Sequence, residues 1–498
     1  MAESVTENRV SLMLTLDAET RTRLWQRVVE AVESYTDNVS HLRIGPDLNP
    51  ETMREVLAPL SFERPMKPLE TLEFALDVLL RHQTHTAHPS YFGLYDPAPA
   101  TMSILAETLV AVFNPQLSVW SQSPGAVEIE QLLVRAFGEK FGYDATAVDG
   151  TFTSGGAEAN HTALLTALTH KFPEFASQGL RALPAQPVLY ISSEGHHSIL
   201  KAAKLCGLGT EAVREIEVDA QLRLKADALS AQIARDRAEG LLPFLIIATA
   251  GTTNAGIIDP LVQLGEIAAR EGLWLHVDAA WGGAVMLVPE LRHLLAGIEQ
   301  SDSITFDPHK WLSVPRGAGL YLTRHRHILA QTFQIAAAYM PLVTASESEV
   351  VDQFKHSMQW SRRFTGLKLF LTLAVVGWEG YAEALRHHLA MGDYLRRALE
   401  KSDWAVVNDS SLAVLCFVDR TQQADASLAG ASLAYLEAIR EEVVSSGQAW
   451  LSITRLAGKH PALRACIVNY RTEPKDVDVL VDALNRAREK CLKQNQVG

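Results

Sequence analysis

Cysteine is scarce in this 498-residue chain: only Cys206, Cys416, Cys466 and Cys491 are present. They are scattered through apolar or helical stretches without metal-ligand spacing. That argues against a zinc module or a disulfide framework and reads as buried thiols in a reducing compartment. Long hydrophobic runs are also missing, none approaching the ~20 residues needed to span a bilayer. Basic residues are outnumbered, 45 Lys+Arg against 58 Asp+Glu, for a net charge of -13. This balance argues against nucleic acid or an anionic membrane surface as the main partner. The start, Met1 to Asn8, is acidic and polar and lacks the basic and apolar regions of a signal peptide, so a cytoplasmic location is expected. No internal repeat or low-complexity segment is visible.

What is present is the composition of an ordinary soluble protein, 47% hydrophobic and 21% charged, in a chain too long for one compact core. The spacing of Leu24, Trp25, Val28, Val29 and Val32 predicts an amphipathic helix over Leu16 to Val39, and a second is expected near Leu69 to His82. Such a short segment cannot bury these apolar faces alone. From about Phe152 short apolar runs alternate with helical stretches: Pro187–Ile191, Phe244–Ala248, Leu273–Val277, Ser303–Phe306 and Gly319–Leu322. Continuous apolar runs separated by helices predict strands buried on both faces, hence an α/β fold with a mostly parallel sheet. After about Tyr381, strands at Leu412–Phe417 and Leu463–Val468 and a last helix from Asp476 predict a smaller α+β domain. The expected division is 1–90, an N-terminal helical segment; 91–380, a large domain; and 381–498, a small one.

The polar motifs fall just after the apolar runs, at strand carboxyl ends, where open α/β sheets bind ligands. Asp278 closes His276-Val277-Asp278-Ala279-Ala280, and Lys310 follows His309 in Asp307-Pro308-His309-Lys310-Trp311. A carboxylate ending a buried strand is costly unless paired. A lysine in an apolar context is primed to hold an aldehyde covalently. Together they are what a pyridoxal phosphate (PLP) site needs: an anion that keeps the pyridine nitrogen protonated, and an amine for the aldehyde. Thr153-Ser154-Gly155-Gly156-Ala157 precedes an apolar helix, His161 to His170; it reads as a phosphate cradle or as a plain Ser-capped helix start. His196-His197 is either a solvated loop pair or supplies a ring that stacks on the cofactor. Thr252, in Ala250-Gly251-Thr252-Thr253, is placed to position the cofactor or its aspartate, and Ala280 is small enough to let a ring lie flat above it. Asp259-Pro260 reads as a helix cap with no chemistry.

With these motifs in this order the chain resembles the group II PLP-dependent amino-acid decarboxylases, which include the aromatic-L-amino-acid, histidine and glutamate decarboxylases. The resemblance runs from about Leu69 to the C-terminus. It also rests on His88-Pro89-Ser90-Tyr91-Phe92, Ser123-Pro124-Gly125-Ala126-Val127-Glu128, Ser361-Arg362-Arg363-Phe364 and Leu367-Lys368-Leu369. It implies the fold type I (aspartate-aminotransferase-like) architecture, pyridoxal 5'-phosphate, an amino-acid substrate and a homodimer with active sites at the interface. It also implies Lys310 as the cofactor lysine, Asp278 at the pyridine nitrogen, and His197 as the stacking ring with His196 as the alternative. Gly155, Gly156 and Ala157 fall at the phosphate, with His309 near it, and Arg362 at the substrate α-carboxylate.

Three positions depart from the family pattern. Ala157 stands where serine is frequent, Asp307 stands where asparagine is frequent, and a gapless count places Gln353 where a loop tyrosine delivers the proton after carbon dioxide leaves. An amide cannot act as a general acid, which leaves His356 as a possible donor. The leading expectation is decarboxylation of an L-amino acid to its amine. Decarboxylation coupled to oxidative deamination, giving an aldehyde, and a PLP-dependent lyase reaction are the alternatives. Tyr91, Phe92 and Trp120, with Tyr95 and Phe113, are expected near the substrate and favour an aromatic or apolar side chain.

Overall fold

The computed structural model describes residues 14–46, 48–335, 350–422 and 432–497. Seven strands form the main sheet: β1 (Asp149–Thr153), β2 (Pro187–Ser192), β3 (Val213–Ile216), β4 (Leu242–Thr249), β5 (Trp274–Asp278), β6 (Ser303–Phe306) and β7 (Gly319–Thr323). Their order is β1-β7-β6-β5-β4-β2-β3. Neighbours from β3 through β6 are parallel, while β7 runs antiparallel to both β6 and β1. Each apolar run picked out in the sequence is a strand of this sheet. The register puts Thr249, Asp278 and Thr305 side by side at neighbouring strand ends, which gathers the polar motifs along one edge.

Two strands of this sheet escape a hydrophobic pattern. β1 is Asp-Gly-Thr-Phe-Thr, with a single large apolar side chain, yet all five residues are buried because β7 and the helix Pro124–Lys140 cover it. β3 is a four-residue edge strand with two charged residues. The helix expected from His161 in fact runs Gly156–Lys171, starting at the second glycine of the motif. That shift matters, because the first-turn amides of a helix have no intrahelical acceptors.

A second sheet, order β10-β11-β9-β8 and wholly antiparallel, contains β8 (Trp404–Val406), β9 (Val414–Asp419), β10 (Ser452–Leu456) and β11 (His460–Cys466). The helices Gly366–Lys401, Leu433–Ser445 and Pro474–Val497 pack with it. The first of these is broken at Gly377, whose φ of 65° and ψ of -179° are closed to most side chains.

The N-terminal helices are Ala18–Asn38, capped by the Asp17 carboxylate accepting the Thr20 N–H, and Pro68–Arg81. Neither buries a residue fully, and Trp25 remains 51% exposed. No helix among the described residues is long and apolar enough to cross a membrane.

Candidate active site

At the carboxyl ends of β4, β5 and β6 lies a cavity of about 460 Å³, in the range of small-molecule sites. Its lining includes the Ser154–Ala157 turn, His196, Asp278, Ala280, Asp307, His309 and Lys310, so residues far apart in sequence meet in one place.

Asp278 ends β5 with its carboxylate buried. Oδ2 accepts from Asn160 Nδ2 at 2.8 Å, and Oδ1 accepts the Ala280 N–H at 3.2 Å. Asn160 is held in turn. Its Oδ1 accepts from Thr305 Oγ1 at 2.8 Å and from His276 Nε2 at 3.1 Å, and its Nδ2 also donates to Ser198 Oγ. Because an amide oxygen only accepts, His276 must carry its proton on Nε2, leaving Nδ1 to accept from Ser303 Oγ at 2.8 Å. Burial pushes the His276 pKa down to about 4, against the pull of Asp278, so this ring is neutral at pH 7. Asn160 Nδ2, positioned by His276 and Thr305, and the Ala280 N–H thus each aim one donor at this buried carboxylate. Asn160 lies three residues past the quoted glycine motif, and its spacing gives no hint of this role.

Lys310 stands in the short helical turn Pro308–Trp311 that follows β6. Its Nζ is 3.1 Å from Asp307 Oδ2, and that same oxygen accepts the Gly156 N–H at 3.0 Å. The His309 Nδ1 is held against the Ala318 backbone, and its Nε2 lies 3.8 Å from Asp307 Oδ2. Burial lowers the His309 pKa, opposed by Asp307. Gly155 has φ of 153°, and a Cβ there would approach His309 Cε1 to 3.0 Å; a side chain would fill this turn. The Ser154 N–H, next to it, is capped by Glu158 Oε2 at 2.7 Å.

The structure separates the paired histidines. His196 lines the cavity, with Nδ1 accepting the Ser198 N–H. Desolvation lowers its pKa, while Asp278 works the other way. His197, exposed as His196 also is, stands at the head of the helix Ser198–Leu205 and does not line the cavity.

Other expected site residues also stand apart from the lining. Thr252 is fully buried, with its Oγ1 accepting the Ile257 N–H to close a turn; its neighbours Gly251 and Thr253 face the cavity instead. Phe92 is core, Tyr91 donates to Asp96 and packs on Trp450, and Trp120 donates to Glu128. Phe113 is largely exposed. Tyr95, itself outside the lining, stacks on the lining residue Trp281 at 4.5 Å and 27°.

Arg362 is locked in a buried ion pair with Glu130 at 3.1 Å and also donates to Thr151 Oγ1 and Gln353 Oε1. It does not open on the cavity. Gln353 is therefore buried against Arg362, and His356 lies 3.9 Å from Asp149, so neither reaches the cavity lining; the loop in which Gln353 is counted runs from Tyr339 to Arg362, and its start falls outside the described residues.

Another arginine, Arg316, lines the cavity and pairs with Asp96. Arg464 is buried over the Tyr95 ring, where its Nε and Nη2 have no hydrogen-bond partner among the described residues.

The donor set fits a phosphorylated, electron-withdrawing pyridine. A helix start supplies amides for the phosphate, a buried carboxylate matches a pyridinium, and an amine is available for the aldehyde. The comparisons with known proteins agree. The family model described as the pyridoxal-dependent decarboxylase conserved domain matches residues 50–420. An aromatic-L-amino-acid decarboxylase of Bacillus atrophaeus is 31% identical over 463 residues, covering 90% of this chain and 92% of that one. An acidic amino acid decarboxylase of Bos taurus is 28% identical, covering 82% and 79%. The crystal structure of mouse CSAD superposes with a TM-score of 0.87 at 26% identity, covering 95% and 99%. That of Oryza sativa TDC with PLP and tryptamine gives 0.88 at 23% identity, covering 96% and 99%, a likeness of fold. The expected fold type I architecture and the PLP-dependent amino-acid decarboxylase chemistry both hold, and the chain belongs to the pyridoxal-dependent decarboxylase family.

Proposed function

We propose that this decarboxylase converts an aromatic or other apolar L-amino acid to its amine, acting as a cytoplasmic homodimer. The observation that carries the substrate class is the wall beside the Lys310 site: Trp281 stacked on Tyr95, next to the small Ala280. Flat aromatic surface rewards a flat or apolar side chain. The relatives named for aromatic substrates support this, although an acidic amino acid decarboxylase is also among them.

PLP, when bound, supplies the electron sink that makes loss of carbon dioxide feasible. In this reading Lys310 carries the cofactor, and Asp278, held in place by Asn160 and Ala280, keeps the pyridine nitrogen protonated. His196, in place of His197, supplies the stacking ring. Gly155, Gly156 and Ala157 hold the phosphate beside His309, and Thr253, in place of Thr252, faces the cofactor. Arg316, which lines the cavity, takes the carboxylate role expected of Arg362, which does not reach the lining. The exposed faces of Ala18–Asn38 and Pro68–Arg81 are covered by a second copy.

The test is a panel of aromatic, aliphatic and acidic L-amino acids, with carbon dioxide, amine, aldehyde and peroxide measured together. Equal amounts of carbon dioxide and amine, fastest with aromatic substrates, are expected. Aldehyde with peroxide would replace the amine product by the oxidative one. Faster turnover of acidic substrates would overturn the substrate class.

A further inference from the structure

Asp307 sits where two demands on the cofactor site meet. Its Oδ2 accepts the Gly156 N–H at 3.0 Å and lies 3.1 Å from Lys310 Nζ. The side chain is 1% exposed, and Oδ1 has no hydrogen-bond partner among the described residues. The carboxylate is tightly held: a Cβ on Gly156 would meet Oδ2, and one on Gly319 would meet Oδ1, each at 2.8 Å. It is therefore an internal anion seated on the first-turn amide of the helix Gly156–Lys171, with the lysine ammonium as its counter-ion.

We propose that Asp307 is a built-in competitor for the cofactor's phosphate. It holds the helix-start amide that the phosphate must claim, so that loading this enzyme means displacing one anion by another. The inference rests on reading Gly155–Ala157 as the phosphate cradle. A helix start that favours one anion cannot serve a carboxylate and a phosphate of about -1.5 to -2 charge equally, because the two repel at close range. An asparagine in the same space keeps an acceptor for the Gly156 N–H and adds an N–H donor towards the phosphate. The carboxylate instead weakens retention of the phosphorylated cofactor, and occupancy of the enzyme follows the free cofactor concentration.

Ligands without an aldehyde isolate the phosphate from the lysine chemistry. Full-length enzyme is stripped of cofactor, and pyridoxamine 5'-phosphate and pyridoxamine are titrated by calorimetry into wild type and Asp307→Asn. Asp307→Asn is expected to tighten pyridoxamine 5'-phosphate at least tenfold, about 1.4 kcal/mol, and to leave pyridoxamine within twofold. Asp307→Ser, too short to reach Gly156, gives the same ordering and serves if the first variant folds poorly. Unchanged or weaker binding of the phosphorylated ligand, or equal tightening of both ligands, overturns the proposal. Wild type and both variants all binding the two ligands alike overturns the cradle reading itself, which is a distinct result.

Discussion

Asparagine at position 278 would keep the shape of the aspartate and remove its charge. In the structure Oδ2 receives the Asn160 amide at 2.8 Å and Oδ1 the Ala280 N–H at 3.2 Å. An amide offers one acceptor oxygen, so one of these donors would face an NH₂ group. The loss of a buried hydrogen bond costs about 1–3 kcal/mol of stability. The electrostatic loss is larger. An opposite charge at about 4 Å and an effective dielectric of about 20 contributes about 4 kcal/mol. At about 1.36 kcal/mol per decade, kcat should fall about a thousandfold. Asn160→Ala keeps the charge and removes one charge-assisted hydrogen bond, about 1.5–3 kcal/mol, so its loss should be ten- to a hundredfold. Carbon dioxide release under saturating cofactor gives kcat, and thermal unfolding reports the folded fraction. Turnover of Asp278→Asn within tenfold of wild type, with cofactor bound, would refute the pairing of this carboxylate with the pyridine nitrogen.

The remaining expectations concern neighbouring groups. His196→Ala should lose most activity and perturb the visible absorbance of the bound cofactor, while His197→Ala should leave both nearly intact; the opposite pattern returns the stacking role to His197. Gly155→Ala, with its φ of 153° and a Cβ 3.0 Å from His309, should weaken cofactor binding at least tenfold in a fluorescence titration. Arg362→Met should destabilise the protein by about 3–5 kcal/mol by stranding buried Glu130, with the Glu130→Gln partner change recovering part of it; a KM effect at unchanged stability would restore Arg362 as a substrate anchor. Burial lowers the pKa of His276 to about 4 and of His388 to about 3. Below about pH 6.5 the unfolded chain therefore binds protons that the native state refuses. Stability is fully present above that pH and is lost as pH falls, by roughly 2 kcal/mol per histidine at pH 5. Urea melts at pH 7 and 5 should show this, and His388→Gln should flatten the slope; an unchanged slope would count against that assignment.

The parallel strands were legible because burial on both faces leaves unbroken apolar runs, and their carboxyl ends located Asp278, His309 and Lys310. β1 was not legible, since its burial comes from β7 and the helix Pro124–Lys140 rather than from its own residues. His196 and His197 both precede the helix Ser198–Leu205, and only the fold decides which of two adjacent residues lines the cavity. Arg362 looked available because a sequence displays a guanidinium without its partner, and Glu130 is 232 residues away. Asn160 was hidden for the opposite reason: its function is to join His276, Thr305 and Asp278, which converge only in the folded sheet.

Buried carboxylates in this protein divide by how completely their partners satisfy them. Glu130 receives Arg362 and the Gly366 N–H, one on each oxygen, and Asp259 receives the Leu224 and Thr249 N–H groups in the same way. Both sets are closed, and both groups act as ties between segments. Asp278 also has a donor on each oxygen, yet it lines the cavity, so its remaining lone pairs face the space where a cation would sit. Asp307 is the incomplete case: two donors crowd one oxygen while the other, though buried, has no partner among the described residues. An unmet buried acceptor costs free energy in the folded chain, and here it sits in the same aspartate that holds Lys310. A carboxylate kept for stability alone would be finished, as Glu130 is. Asp307 differs: its Oδ2 takes both the helix-start amide and Lys310, while its unpartnered Oδ1 lies buried against Gly319, an asymmetry that neither Glu130 nor Asp259 shows.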